Sequence, residues 1–403
     1  MAETADIIVV GLGAVGSAAL YQAAKLGLRA IGIDRFHPPH DLGSSHGDSR
    51  ITRQGIGEGQ DYVPLVLRSH QIWEELEAAT GRTLLTRNGA LILQSSHIVG
   101  DHHGSTSFLA DAIAAAKAYD IAHEVLGTEE IEARFPQFQL AQQEVGYFEP
   151  GAGFVRPEAC VQTQLELASK LGAEIQTGET VLKIETSSDS VLVTSERDTY
   201  NVGHAIVSAG PWIGRLLPQS IATQLRVYRQ VMTWFALARN HERYAAQHFP
   251  VFIWITGDQP RDMFYGFPAV EGPPQSIKTA TERYDVSISA DKVERTVAGS
   301  EVEMLYSGYI ANRLPDVSAR CVRSATCLYT VAPGARFVID QADDAGRIWF
   351  ASACSGHGFK HSPAVGEALV RKAMNMKEVV DTEAFRASRL PVGLNPADRP
   401  CDS

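Results

Sequence analysis

The stretch from Ile7 to Asp34 limits the possible folds more than any other part of the chain. Ile7-Ile8-Val9-Val10 is an unbroken apolar run of the kind that a parallel sheet buries on both faces. Gly11-Leu12-Gly13-Ala14-Val15-Gly16 follows as a turn, Ser17 to Leu26 as an Ala-rich helix, and Ala30 to Ile33 as a second strand that delivers Asp34 and Arg35. Each part has a physical task in binding a dinucleotide. Gly11 permits the tight turn, Gly13 lets backbone N–H groups approach a pyrophosphate, and Gly16 lets helix and strand pack closely, with Ala14 and Val15 opening the helix. The helix N-terminus stabilises phosphate charge. Asp34 falls about 20 residues on, where its carboxylate can accept hydrogen bonds from ribose hydroxyls. A lone Gly-rich turn carries little weight, but here strand, turn, helix and acid occur together.

A chain of 403 residues exceeds one small core, so a nucleotide-binding domain plus a substantial second domain is expected. The formal net charge of −11 argues against partners such as nucleic acid or an anionic membrane. There is no apolar run of about 18 residues, and the N-terminus lacks the basic flank and cleavage site of a secretory signal, which points to the cytoplasm. Five dispersed cysteines without CxxC spacing fit reduced thiols rather than disulfides or zinc. His37 with His40, and His102 with His103, have no third ligand and read as surface loop histidines, so no metal is expected.

Helical spacing marks Tyr62 to Ala79, Phe108 to Tyr119, Thr128 to Phe135, Glu158 to Gly172 and Lys360 to Met374. Gly89 to Gln94, Ala173 to Thr194, Ala205 to Gly210, Phe337 to Asp340 and Ile348 to Ala353 read as strands. From about Leu225 to Arg320, short runs such as Val231 to Leu237, Val251 to Ile255 and Met263 to Phe267 are broken by Gly and Pro, which favours an antiparallel sheet. The expected organisation is α/β in two domains. Residues 1–85, 150–224 and 321–403 form a Rossmann-like nucleotide domain, and 86–149 with 225–320 form a substrate domain.

Ser355-Gly356-His357-Gly358-Phe359-Lys360 follows an apolar strand and opens a helix, so its backbone donors can stabilise negative charge on a second part of the cofactor. Read beside Ser44-Ser45-His46-Gly47-Asp48-Ser49-Arg50-Ile51-Thr52-Arg53, Gly57-Glu58-Gly59, Tyr62-Val63-Pro64-Leu65 and Thr326-Cys327-Leu328-Tyr329-Thr330, it resembles the monomeric sarcosine oxidase and N-methyl-L-tryptophan oxidase family of flavin amine oxidases. The resemblance runs from the N-terminal fingerprint to the helix after Lys360, strongest at the two ends.

This resemblance implies a p-hydroxybenzoate hydroxylase-like fold holding FAD, with Cys327 bonded to the flavin 8α-methyl group. It implies that Arg53 and Lys360 bind the substrate carboxylate, and that His46 and Arg50 line the flavin, with Ser44, Ser45 and Val181 also at the cofactor. Lys278 aligns with a lysine over the flavin that promotes its reaction with O2, although Gly272-Pro273-Pro274-Gln275 before it departs from the family's pattern. Glu282 stands where sarcosine-type members carry a histidine, and Tyr265 is an aromatic wall of the pocket. The implied activity is oxidation of a secondary α-amino acid, N-methylated or cyclic, to an imine that water hydrolyses, with O2 reduced to hydrogen peroxide by a monomer. The alternatives are a flavin amine dehydrogenase using another electron acceptor, a nicotinamide-dependent dehydrogenase, and a nucleotide-binding sensor.

Overall fold

A computed structural model describes residues 4–95, 97–100, 102–141, 143–270 and 275–391; Gly272, Pro273, Pro274 and Cys401, singled out above, lie outside them. The fingerprint folds as its pattern requires. Strand Thr4–Val10 pairs in parallel with Ala30–Asp34 on one side and Thr199–Val207 on the other. Glu174–Thr177 extends the sheet beyond Ala30–Asp34, and Ile348–Ser352 pairs in parallel with Thr199–Val207. Three antiparallel strands, Val181–Thr186, Val191–Ser195 and Val338–Gln341, complete eight among the described residues.

Helix Ala14–Lys25 covers this sheet, flanked by Pro157–Lys170 and Ser362–Ala373. Small side chains let the helices close on one another. A Cβ on Gly366 would fall 2.7 Å from Ala18 Cβ, and Ser17 Oγ donates to Gln164 Oε1 at 2.7 Å. The first helix ends at Lys25 with Leu26 as its cap, after which Gly27 takes the left-handed conformation that a helix terminus favours.

The second sheet also has eight strands, in the order Val317–Val331, Arg226–Leu237, Ser276–Thr281, Met263–Gly266, Val251–Ile255, Ala90–Ser95, Glu144–Glu149 and Glu124–Gly127. It differs from the antiparallel expectation at one place, where Val251–Ile255 runs parallel to Ala90–Ser95. Those two strands come from distant segments, and no hairpin constrains their direction. Strand Val317–Val331 crosses the boundary expected at 320/321, so Cys327 stands on the second sheet. The helix expected from Lys360 starts at Ser362, with Lys360 in the short 3-10 turn Phe359–His361.

One face of the second sheet packs an aromatic core of Phe235, Phe252, Trp254, Phe264 and Ile277. The opposite face is chemical. Directly opposed residues of an antiparallel ladder share a face, as do alternate residues of one strand. The pairs Trp234 with Lys278, Met232 with Ala280, Tyr265 with Ala280, Gln230 with Cys327 and Tyr228 with Tyr329 therefore place Lys278, Tyr265, Cys327 and Tyr329 together. Among the described residues no helix is long and apolar enough to cross a membrane.

Candidate active site

A single cleft runs from the fingerprint to the chemical face of the second sheet. Its lining includes Gly11, Gly13, Ala14, Val15, Asp34, Arg35, Ser44, Ser45, Arg50, Val181, Tyr329, Cys354, Gly356, Gly358 and Phe359. Gly16 lies behind this lining and is compelled by contact, since a Cβ there would fall 1.7 Å from Gly11 O. A Cβ on Gly13 would meet nothing closer than Ser45 Oγ at 3.7 Å, so the backbone is open to the cleft where the motif would seat a pyrophosphate. Asp34 accepts from Leu12 N and Phe36 N, both at 2.7 Å. A carboxylate has about four acceptor positions, which leaves two for ribose hydroxyls. Burial pushes its carboxyl pKa up, against the pull of those two N–H donors. Arg35 stands at the rim, donating to Asp291 Oδ1 at 2.7 Å and lying over the Phe36 and Trp212 rings.

At the other end, Gly358 must be glycine, because a Cβ would fall 1.8 Å from Ala353 O. That close approach places the turn Ser355–Lys360 against the cleft. Arg50 crosses to Cys327: one nitrogen lies 3.5 Å from Cys327 Sγ and donates to Ser44 O at 2.9 Å, while the other donates to Ser49 O at 2.9 Å. Ser44 Oγ donates to Leu328 O, so the Ser44–Arg50 loop is bonded to the cysteine strand. Tyr265 and Tyr329 share a hydroxyl contact at 3.1 Å, and burial pushes the Tyr265 pKa up to about 12.

Lys278 is fully inside. Its Nζ donates to Gly47 O at 2.7 Å and Ser49 O at 2.5 Å and lies 4.0 Å from the Phe267 ring centroid. Burial first, then Arg50, hold its ammonium well below the usual lysine range. His46 is buried beside it, and burial with Arg50 lowers its pKa to about 3, so it is neutral.

Arg53 and Lys360 come together on a carboxylate of the chain itself. Glu58 Oε2 accepts from Arg53 at 2.6 Å and Oε1 from Lys360 at 3.2 Å, with all three side chains almost wholly buried. Arg53 also donates to Gly55 O at 2.6 Å, and Lys360 to His357 O at 2.8 Å. Burial would raise the Glu58 pKa; Arg53 and Lys360 overcome it and hold the carboxyl well below the usual range. Burial lowers Lys360 to about 8, partly opposed by Glu58. His357 does not face the cleft: its Nε2 bonds Ala335 O at 2.9 Å and its ring stacks on Phe337. Burial holds it neutral.

The loop carrying Arg53 is itself anchored. Glu149, fully buried, accepts from Gln54 N at 2.8 Å, Gly55 N at 2.9 Å and Tyr147 OH at 2.8 Å. In the sequence, Glu58 had only its place between two glycines to mark it, and Glu149 was not marked at all. The surface reading of two histidines is corrected. His102 is buried with Nε2 3.1 Å from Gly257 O, and His103 lies 3.2 Å from Glu282 Oε2. Gly104, next to them, lies against Gly334, where an added Cβ would fall 2.3 Å from Gly334 O.

The open glycine backbone at Gly13, the acid at Asp34 and the second Gly-rich turn at the far end define a dinucleotide-binding oxidoreductase fold. The FAD dependent oxidoreductase family matches residues 6–372, and the chain belongs to it. Within that family it is 36% identical to monomeric sarcosine oxidase of Streptomyces avermitilis over 375 residues, covering 93% of this chain and 94% of that protein. It is 33% identical to N-methyl-L-tryptophan oxidase of Yersinia pestis over 393 residues, covering 95% and 99%. The fold is also that of NikD, an unusual amino acid oxidase essential for nikkomycin biosynthesis (TM-score 0.79, 24% identity, 96% and 97% covered). The same holds for L-proline dehydrogenase from P. horikoshii (TM-score 0.78, 16% identity, 96% and 97% covered). FAD is thus the cofactor, and the cleft fits it: open glycine backbone for phosphate, free acceptor positions on Asp34 for ribose, and backbone donors at Gly356 and Gly358 for the ring.

Proposed function

We propose that this protein is a cytoplasmic FAD-dependent oxidase of a secondary α-amino acid, either N-methylated or cyclic. The observation that carries the reading is the convergence of Arg53 and Lys360, distant in sequence, on one buried point beside the sheet face that holds Lys278, Cys327 and Tyr329. Two cations against one carboxylate, Glu58, leave a positive charge for a substrate carboxylate to balance. Arg53 offers a planar fork of donors and Lys360 a second charge, so together they fix the orientation of the amino acid. Holding the reacting C–H bond in place supplies much of the rate. The cationic surroundings favour loss of the substrate's ammonium proton, giving the neutral amine whose lone pair assists the reaction.

Bound in this cleft, FAD would supply the hydride acceptor and the route of electrons to O2, with hydrogen peroxide as the product. Lys278 is the residue assigned to the oxygen step. Its low proton affinity is set by burial and Arg50, and negative charge developing nearby would hold its proton. Cys327 is assigned as the point of thioether attachment, beside Arg50 and the Ser44 carbonyl. Tyr265 forms an aromatic wall.

The test is anaerobic addition of sarcosine, N-methyltryptophan, pipecolate and proline to the purified protein, followed by air. Bleaching of the flavin by one of them and recovery with one peroxide per substrate supports the reading. Bleaching without peroxide would make the protein a dehydrogenase with another acceptor. Mass spectrometry of the denatured chain tests Cys327: flavin mass should remain with the wild type and be lost in C327S.

A further inference from the structure

His103 belongs to the loop between strand Ala90–Ser95 and helix Phe108–Ala118, yet its side chain is only 6% exposed. Its Nε2 lies 3.2 Å from Glu282 Oε2, an oxygen that also accepts from Tyr284 OH at 2.5 Å. Its other nitrogen, Nδ1, is buried without a hydrogen-bond partner. The ring is 5.4 Å from that of His357, whose Nδ1 is 3.7 Å from Glu58. His103 therefore stands between Glu282, which it touches, and the His357 ring beside Glu58.

Every element packed around His103 contributes to its charge state. Glu282 and Tyr284 face it from beyond strand Ser276–Thr281, Glu58 from the loop after Arg53, and His357 and Lys360 from the Ser355–Lys360 turn. Burial alone would lower its pKa. Glu282, by charge and hydrogen bond, and Glu58 outweigh burial and Lys360, and hold it above the ordinary histidine value. An imidazolium donates from both nitrogens, so one buried N–H is left without an acceptor. Buried donors are ordinarily satisfied, and the missing partner is therefore an acceptor supplied from outside the chain.

The charges say what kind. Arg53, Lys360 and His103 oppose Glu58 and Glu282, which leaves one positive charge uncompensated among these buried side chains, while Arg50, the other cation nearby, is turned to the Ser44 and Ser49 carbonyls. One carboxylate closes that balance; a second would enter with no counter-charge, at high cost.

We propose that His103, held by Glu282, is a third donor for the substrate carboxylate, and that the pocket it completes takes monocarboxylic amino acids and rejects dicarboxylic ones. The inference rests on the reading of Arg53 and Lys360 as the carboxylate anchor. As a substrate-touching group, His103 is distinct from Glu282, which positions it.

The experiment is titration of the holoenzyme with propanoate and with succinate, followed through the flavin visible spectrum from about pH 6 to about pH 9, where histidine and a lowered lysine both titrate. Wild type should bind propanoate at least about tenfold more tightly than succinate and lose affinity with rising pH as two protons leave, one from His103 and one from Lys360. H103Q should weaken propanoate by about tenfold at the low-pH end and keep only the lysine limb. H103Q strands the Glu282 charge, so H103Q/E282Q, a neutral pair of similar shape, separates lost folding from lost binding; it should also lack the histidine limb. A double variant that binds propanoate as the wild type does, with the same pH profile, overturns the assignment of His103, as does equal affinity for succinate. A wild type that binds neither acid would refute the anchor itself.

Discussion

Replacing Glu58 by Gln removes the single charge that holds the two cations of the anchor together, and its consequences follow from the geometry. Glu58 lies 2.6 Å from Arg53 and 3.2 Å from Lys360, and its side chain is 2% exposed, so little solvent is present to take over its role. Breaking one member of a buried pair costs about 3–5 kcal/mol, because the partner charge is left without compensation. With an unfolding entropy of about 2.1 cal/mol/K per residue, a chain of this length would lose about 4–6 °C of melting temperature. The same substitution removes the raising influence of Glu58 on Lys360, whose pKa should fall below about 8. A bound carboxylate would replace the lost anion. E58Q should therefore recover more stability on adding propanoate than the wild type gains, since the ligand then compensates two cations instead of one. Thermal melts and urea midpoints of both holoproteins, with and without propanoate, measure each part. An E58Q protein as stable as the wild type, with no larger ligand response, would refute the account of Glu58 as the buried counter-charge.

Other perturbations test separate parts of the argument. G16A should yield little folded flavoprotein, because its Cβ would overlap Gly11 O; flavin content per folded chain measures this. E149Q keeps one acceptor oxygen but turns its NH2 group against one of the two backbone N–H donors, Gln54 or Gly55, which should cost about 1–3 kcal/mol of stability. It should also loosen Arg53, raising KM several-fold with kcat largely kept, and an unchanged KM would remove Glu149 from the anchor. K278M should slow reoxidation by air far more than anaerobic reduction in stopped flow, and equal slowing of both would count against its oxygen role. Lys360, with its pKa lowered to about 8, is charged below that pH and neutral above it. KM should therefore rise above about pH 8, while stability rises between that pH and the unfolded lysine value, where the unfolded chain binds more protons; pH-dependent kinetics and melts read the two effects.

The nucleotide half was legible because its determinants are local. Strand, Gly-rich turn, helix and Asp34 lie in one continuous stretch; Gly16 answers to a contact made within the unit, and Gly11 to Ser208 and Ala209 at the end of the neighbouring strand. The turn at Gly358 is of the same kind, since its close contact is with Ala353 O in the same stretch. Alternation along Ser276–Thr281 also makes Lys278 and Tyr265 readable as sharing a face once the register is known. The anchor was only half legible. Arg53 and Lys360 belong to recognisable motifs, but Glu58 becomes their common partner only when helix Val63–Thr80 packs against Ser362–Ala373 and carries both loops to one place. His103 shows the limit most clearly. A histidine in a polar loop has no periodicity to mark it, and its burial, its bond to Glu282 and its unpartnered nitrogen depend on contacts with segments far away in the chain. Patterns along the chain determined the strands, the helices and the cofactor. The balance of buried charge, which decides what the pocket can hold, arose only when distant segments were brought within a few ångströms of one another, where the low dielectric makes each pairing count.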